Sequence, residues 1–149
     1  MDAFARTFLP AATDAGLDMP TICRHLPVFH RCLGAESVLL VARCTRTDRP
    51  LAGSLAGEYV LVLSRTRLVV THESRLVHKL RLHLDAPLHE LSDVRWTPDA
   101  LLTSIELSAT AIDGIRERFT IKVRHPEQIW HLDETLGYLF AGAALPVAA

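Results

Sequence analysis

The feature that most constrains the fold of this chain is the segment 58–84, in which three short apolar runs alternate with polar breaks. The first two runs, residues 59–63 and 68–71, are rich in Val and Leu, and the four polar residues 64–67 separate them. The third run, residues 77–84, alternates strictly between polar and apolar residues from Lys79 onward. Short runs of this kind with polar breaks are typical of antiparallel strands joined by hairpins.

The register of these strands can be predicted, because side chains alternate between the two faces of a strand and a slip by one residue would exchange the faces. A four-residue loop at 64–67 and a turn at 73–77 place the apolar residues on one face. The predicted pairs are Leu63 with Leu68, Leu61 with Val70, Tyr59 with His72, Val70 with Leu80, and Leu68 with Leu82. The opposite face then receives Val60, Val62 and Val69 together with Lys79, Arg81 and His83.

Composition limits the classes of protein to consider. The 149 residues predict one domain with a sizeable core, and a net charge of -1 gives no bulk attraction to nucleic acid. Cys23, Cys32 and Cys44 contain no CxxC pair, which indicates free thiols in a reducing cytoplasm. No apolar run approaches 18 residues and the first residues do not resemble a secretion signal, so we expect no membrane span.

Helices are predicted on the N-terminal side of these strands. Residues 2–9 form a short helix ended by Pro10, and a loop follows over residues 11–20. Residues 21–33 are a second helix candidate by apolar spacing, but Pro27 favours a shorter helix from Pro27 to Leu33 with a cap at Gly34. Residues 36–45 then form the first strand, and apolar residues on both of its faces indicate that its outer side is covered.

Three further strands and a helix are predicted on the C-terminal side. The strands are residues 88–96, 101–110 and 115–124, and Asp113-Gly114 is a hairpin turn. The inward residues of the last strand are Ile115, Phe119, Ile121 and Val123, with Glu117 as an exception in the inward phase. The helix starts at Pro126, ends at Gly142 before a frayed tail, and carries an apolar stripe of Ile129, Leu132, Leu136 and Leu139 or Phe140.

Seven antiparallel strands followed by a capping helix resemble the pleckstrin-homology (PH-like) fold. Residues 63–71 (LSRTRLVVT) resemble the strand–turn–strand signature of bacterial PH-like and GRAM-like domains, with Ser64 in place of the usual Thr and Arg67 matching the Arg. Residues 88–94 (LHELSDV) and the helix 125–140 resemble later parts of the same pattern. The predicted architecture is a mainly β barrel or sandwich with a helical extension at 1–34, a PH-like domain at 35–141, and a flexible tail at 142–149.

The resemblance implies a non-catalytic binding module for lipid headgroups, peptides or partner subunits. Domains of this family that bind phosphoinositides use basic residues of the first strands and their loops, and Arg forks suit phosphate geometry. The corresponding residues here are Arg43, Arg46, Arg49, Arg65 and Arg67. Near-zero net charge favours at most weak binding to anionic lipid, so a protein partner is the preferred reading.

Catalytic and metal sites have little support in the sequence. The opposed His72 and His78, with Glu73 beside them, could bind zinc, but a polar pair at the open end of the barrel is the simpler interpretation. The cysteines lie in apolar contexts typical of buried, inert thiols, and no serine lies in a GxSxG elbow. We therefore expect no enzyme, no cofactor and no metal; a small-ligand carrier or enzyme that uses the barrel interior is the alternative.

Self-association is predicted from apolar surface that needs cover. Val60, Val62 and Val69 lie on the outer face of the central hairpin, and the N-terminal segment supplies apolar residues such as Phe29. Either this segment folds back on its own sheet, or it packs on a neighbour's sheet and makes a homodimer. Pro10, Gly16 and Pro20 make a jointed arm, which favours the dimer.

Overall fold

The computed structural model describes residues 2–47, 57–75, 77 and 79–148. Together they form three helices and seven strands. In chain order these are α1 (Ala3–Asp14), α2 (Met19–Leu33), β1 (Val38–Arg46), β2 (Glu58–Ser64), β3 (Arg67–Glu73), β4 (Leu80–Pro87), β5 (Ser92–Asp99), β6 (Ser104–Thr110), β7 (Arg116–Lys122) and α3 (Pro126–Ala148). A short 3-10 turn, Leu88–Glu90, joins β4 to β5. The predicted mainly β architecture with helices at both ends is confirmed.

The strands form one antiparallel sheet in the order β4-β3-β2-β1-β7-β6-β5. The predicted β2–β3 register is confirmed, with Leu63 opposite Leu68, Leu61 opposite Val70 and Tyr59 opposite His72. Inward residues of β2 and β3 share one core cluster with inward residues of β6, β7 and α3. The sheet therefore folds over on itself into an open sandwich around this core.

The predicted β3–β4 register is wrong: Glu73 lies opposite Leu80, a shift of three residues from the predicted pairs, and a bulge in β4 adds a fourth. Val70 lies opposite Leu84 and Thr71 lies opposite Leu82, so His83 is an extra residue between two successive pairs. An extra residue of this kind reverses which side chains face inward beyond it. The strict alternation of residues 79–84 contains no signal for the bulge.

The bulge changes which residues of β4 enter the core. Leu80 and Leu82 were expected inside, but Leu82 is 48% exposed on the outer side and Leu80 lies opposite Glu73 on the same face. Leu84 and Ala86 pack against the core in their place.

Both N-terminal helices continue through a proline that was expected to limit them. Pro10 lies inside α1 and Pro27 lies inside α2, so the predicted helix end at Pro10 and the predicted start at Pro27 are wrong. A proline inside a helix costs about 3 kcal/mol. Burial of the apolar stripes of both helices offsets that cost; the buried stripe residues are Phe4, Phe8, Ala12, Ile22, Phe29 and Leu33.

The helix caps explain the true helix starts. The side chain of Asp2 accepts a hydrogen bond from the Ala5 backbone N–H at 2.9 Å, and that of Asp18 accepts one from Thr21 N–H at 2.9 Å. These hydrogen bonds lower the pKa of both carboxyl groups. Gly34 ends α2 with a φ of 62°, as predicted.

The chain's own α1 and α2 cover the outer face of β1–β3. The resulting cluster, which we call the helix–sheet core, consists of Phe4, Phe8, Ala12, Leu17, Ile22, Phe29, Leu33, Val38, Val41, Val60, Val62 and Val69. Of the two predicted arrangements, the structure shows the one in which the N-terminal segment folds back on its own sheet. The predicted cover over β1 is confirmed.

Polar contacts fix α2 to β3 beside the helix–sheet core. The Arg24 guanidinium makes two hydrogen bonds to the Glu73 carboxylate, at 2.5 and 2.8 Å. The next residue, His25, is buried, and its Nδ1 lies 2.8 Å from Thr71 Oγ1. Bidentate pairs of this geometry orient the helix as well as stabilising it.

The buried His25 makes stability depend on pH. Burial lowers the pKa of His25, with opposing influences from Glu73 and Glu58 and a reinforcing one from Arg24. As pH falls through about 6.5, the ordinary histidine pKa, the unfolded chain takes up a proton that folded His25 resists, so stability falls. We expect urea midpoints to drop on going from neutral pH to pH about 5. His25→Gln should reduce this slope, whereas substitution of the exposed His89 by Gln should leave it unchanged; equal slopes in all three chains would contradict the assignment.

The C-terminal helix covers the open side of the core cluster inside the folded sheet, which we call the inner core. Its predicted stripe is confirmed: Ile129, Leu132, Leu136 and Phe140 are buried. The predicted end at Gly142 is wrong, since α3 continues to Ala148 with one non-helical residue at Phe140, which bends it.

The hairpin of β6 and β7 agrees with the sequence except at its tip. Asp113 and Gly114 form the predicted turn, in which Gly114 has a φ of 84°. Phe119 and Ile121 are buried as predicted, but Ile115 is exposed because β7 starts only at the next residue.

Candidate functional site

The arginines of the predicted phosphate site do not come together. Arg43 and Arg46 lie on β1, whereas Arg65 and Arg67 lie at the turn between β2 and β3. Because β2 runs antiparallel to β1, the length of β2 separates this turn from Arg46. That length is about 20 Å, from six steps of about 3.3 Å between the seven residues of the strand. Arg49 lies outside the described residues.

Three of these arginines also have acidic partners. Arg43 pairs with Glu58 across the β1–β2 hairpin. Arg46 lies 3.9 Å from Glu117 on β7. Acidic residues that already neutralise a guanidinium weaken its attraction for phosphate.

The third pair joins Arg67 on β3 to Asp85 on β4, with Nε donating at 2.8 Å. This hydrogen bond raises the pKa of Arg67. Arg65 is exposed at the turn. The described arginines thus support the sheet more than they assemble a phosphate grip.

A polar cluster closes the end of the sandwich opposite α3. His83 Nε2 lies 3.1 Å from Glu117 Oε2, and the Tyr59 ring lies 4.5 Å from His72 and 5.3 Å from His83 between ring centroids. The bulge in β4 turns His83 inward, and Glu117 is the inward-phase exception of β7. The sequence placed His83 on the surface, so it missed this contact.

The contacts of this cluster fill the end of the sandwich. Glu117 contacts both Arg46 and His83, so the charge of Arg46 has an acidic partner within the cluster. The aromatic rings of Tyr59 and Phe119 flank His83.

The predicted metal pair is not formed as expected. His72 lies opposite Arg81, not opposite His78, because the β3–β4 register differs from the prediction. His78 itself lies outside the described residues. Within the part of the chain that the structure describes, no three His, Cys, Asp or Glu side chains lie close enough to hold a metal ion.

The cysteines differ in exposure. Cys44 is buried in the inner core, and burial raises its pKa; burial also raises the pKa of the half-buried Cys32. Cys23 is exposed on α2, so the expectation of a buried thiol is wrong there. A raised pKa keeps a thiol protonated and unreactive.

The four residues predicted for partner contact are buried within the chain. Val60, Val62, Val69 and Phe29 all belong to the helix–sheet core and are fully covered. They therefore hold the chain's own helices and are not a free surface in this structure.

A different surface on α3 is open, and we call it the aromatic face. Trp130 is 58% exposed and Tyr138 is 68% exposed on the side of the helix away from the core. Glu127 and Glu134 are exposed on the same helix, and α3 contains no Lys or Arg. Trp130 and Tyr138 are eight residues apart, about 12 Å along the helix axis. The sequence already separates them from the buried stripe, a signal that the prediction did not use.

A second open surface is the outer side of β5–β7, which we call the arginine face. The side chains that line it are Asp93, Arg95, Thr97, Glu106, Ser108, Arg116 and Arg118. The equivalent outer side of β1–β3 is covered by α1 and α2, whereas this one faces solvent.

Hydrogen bonds hold the central arginine of this face. Arg116 donates to Ser108 Oγ at 2.7 Å, to Thr110 Oγ1 at 2.9 Å and to the Asp93 backbone carbonyl at 3.0 Å. Arg95 and Arg118 are exposed on either side of it. Asp93 pairs with Arg95, whose Nε donates to Asp93 Oδ1 at 2.8 Å, and it also lies 3.3 Å from Arg116. Three guanidinium groups against Asp93 and Glu106 leave this face with a small excess of positive charge.

No helix among the described residues is both long and apolar enough to cross a membrane.

Comparison with known proteins identifies the fold and not the family. No protein-family model matches the sequence, and no curated protein is significantly similar to it. The hSac2 domain from the human phosphoinositide phosphatase Sac2 has a similar structure, with a TM-score of 0.52 and 16% identity over 85% of this chain and 84% of that one. The C-terminal domain of an unknown protein from Leishmania infantum has a TM-score of 0.46 and 15% identity over 78% of this chain and 97% of that one. The likeness to the hSac2 domain supports a PH-like fold; it does not extend to the narrower bacterial or GRAM-like resemblance.

Proposed function

We propose that this chain is a non-catalytic, cytoplasmic protein-binding module that self-associates, with the aromatic face of one copy packed on the arginine face of another. The observation that carries the proposal is the exposure of Trp130 and Tyr138 on one helix face. Large aromatic side chains are enriched at the energetic centres of protein interfaces, where burial of each stabilises the complex.

Charge complementarity supports a second copy as the partner. The aromatic face is acidic through Glu127 and Glu134, and the arginine face presents three guanidinium groups against Asp93 and Glu106. Opposite potentials across an interface speed association and fix its orientation.

The geometry of a two-fold dimer accommodates both contacts. α3 packs beside β5, the strand at one end of the sheet order, so the two faces adjoin around that edge. A two-fold axis at the edge would place α3 of each copy on the β5–β7 surface of the other. Such an interface is self-complementary and closes without further copies.

Strand addition at the sheet edges is a weaker alternative. Both edge strands have irregular backbones. In β5, Asp93 has a φ of 49° and Pro98 lacks a backbone N–H. In β4, there is a bulge at His83 and a proline at position 87. Bulges and prolines at an edge oppose pairing with another chain.

The alternative of a ligand carrier or enzyme in the barrel interior is also less favoured. The inward residues Leu61, Leu63, Leu68 and Val70 pack into the core with at most 2% exposure. The separated and paired arginines likewise weaken the alternative of a phospholipid-headgroup site. Binding of anionic lipid, if any, would be weak.

The test is sedimentation velocity over a range of protein concentrations at low and high salt. We expect a concentration-dependent dimer that weakens at high salt, since exposed charges are screened. Trp130→Ala should weaken dimerisation by about 2 kcal/mol, roughly 30-fold in Kd. Arg6→Glu, at an exposed position on α1, is the control and should change little.

A monomer at every concentration would contradict self-association. A dimer that Trp130→Ala leaves intact would contradict the choice of surface. In either case circular dichroism should first establish that the variants remain folded.

A further inference from the structure

A cleft lies between the end of α1, the first half of β1 and the junction of β7 with α3. β1 pairs with β7 only from Arg43 to Arg46, so its first half has α3 beside it in place of a strand, within the described residues. The cleft holds about 170 Å³. Pockets for drug-sized ligands run from about 300 to 1,000 Å³, so a ligand here would be small.

The floor of the cleft is apolar. Leu39 and Leu40 of β1, Val123 after β7 and Leu132 of α3 all line it. Leu39 and Leu40 are only partly buried, so apolar surface remains for a ligand to cover. Covering such surface favours binding by about 25 cal/mol for each Å².

The mouth of the cleft is cationic. Lys122 and Arg124 line it on one side, together with the neutral Gln128, and Asp14 is the acidic residue among the lining side chains. The Arg124 side chain extends toward the α1–α2 joint, where its Cδ would lie 3.5 Å from a Cβ placed on Gly16. The Arg124 side chain therefore lies across the mouth of the cleft, between the start of α3 and the connection of α1 to α2.

The cations are also crowded. Lys122 lies directly opposite Arg43 in the β1–β7 pair, and like charges at opposed positions destabilise a sheet. Glu58 pairs with Arg43 on its other side. An anion beside Lys122 and Arg124 would relieve the remaining repulsion.

We propose that this cleft binds a small free carboxylic acid with an alkyl chain. The carboxylate lies between Lys122 and Arg124, where charge-assisted hydrogen bonds hold it. The alkyl chain lies on Leu39, Leu40 and Leu132. Lys122 lies on the same side of β7 as Arg116 and Arg118 of the arginine face. The titration is therefore carried out at a protein concentration at which the chain is monomeric, which separates this proposal from self-association.

The test is an amide-resolved NMR titration of the full chain with octanoate as the probe. Acetate supplies the charge without the chain, and octylamine supplies the chain with the opposite charge. We expect saturable shifts from octanoate at the amides of Leu39, Leu40 and Val123, and no saturable shifts from either control compound.

Two variants locate the site. Lys122→Gln combined with Arg124→Gln should weaken octanoate binding at least tenfold, about 1.4 kcal/mol. Ala11→Phe, at a half-buried lining position of α1, should block the cleft and abolish the shifts, while Arg6→Gln on the exposed side of α1 is the matched control. Absence of saturable shifts with octanoate, equal binding of octylamine, or shifts that survive both variants would overturn the proposal.

Discussion

Replacement of Leu136 by Ala is expected to lower the free energy of unfolding by about 2–5 kcal/mol, because it leaves a cavity in the inner core. Leu136 is fully buried on α3 and packs in the cluster that joins the helix to β2, β3, β6 and β7. Beside it, the indole N–H of Trp96 donates to Asp133 Oδ1 at 2.8 Å and fixes the helix on β5, so the helix has little freedom to move into the space. The lost stability is therefore expected toward the upper part of that range.

Urea unfolding followed by circular dichroism measures this change. Glu134→Ala, two residues away and exposed, is the control and should change stability by less than about 0.5 kcal/mol. A loss for Leu136→Ala no greater than that of the control would mean that α3 does not cap the sandwich.

Replacement of Phe29 by Ala should cost about 3–5 kcal/mol, the largest effect expected of a single substitution in this chain. Phe29 is fully buried in the helix–sheet core, with ring centroids 5.7 Å from Phe8 and 6.1 Å from His25. It therefore contacts α1, its own helix and the covered face of the sheet. Loss of the ring would loosen both helices together.

The same urea experiment tests how the helical cover couples to the sheet. We expect one cooperative transition at a lower midpoint for Phe29→Ala, and no change for Cys23→Ala, which alters an exposed position on the same helix. A change below about 1 kcal/mol would show that the fold-back cover does not support the sheet.

The parts of the fold that could be predicted from sequence depend on local geometry. The β2–β3 register follows from a four-residue turn between two short apolar runs, and the α3 stripe follows from helical spacing. The β3–β4 register does not follow, because nothing in the alternating run indicates the longer turn that sets Glu73 opposite Leu80 or the extra residue at His83. The helix boundaries predicted from Pro10 and Pro27 were also wrong. Each proline destabilises its helix locally, but burial of the apolar stripes of α1 and α2 outweighs that cost.

The candidate site was harder to predict than the fold, for a physical reason. Arg46 and Arg67 lie near two successive connections of the chain, one before β2 and one after it. In an antiparallel sheet successive connections lie at opposite ends of the strand between them, so these two arginines are far apart. Whether an arginine is already neutralised depends on residues distant in sequence, such as Glu117 for Arg46 and Asp85 for Arg67. The exposure of Trp130, by contrast, could be inferred from its position off the apolar stripe.

The most direct test of the proposed self-association is a mixing experiment with two charge-reversed chains. One carries Glu127→Lys and Glu134→Lys on the aromatic face, and the other carries Arg95→Glu and Arg118→Glu on the arginine face. In a two-fold dimer, each variant alone sets like charges against each other at both contacts. A mixed pair instead has one wild-type contact and one with both charges exchanged, so opposite charges meet at each.

Sedimentation velocity of the two variants, separately and mixed in equal amounts, decides the matter. The proposed interface predicts that each variant alone is monomeric at concentrations where the wild-type chain dimerises, and that the mixture recovers the dimer. A mixture that stays monomeric while the wild-type chain dimerises, or variants that dimerise alone as well as the wild-type chain does, would contradict the pairing of these two faces.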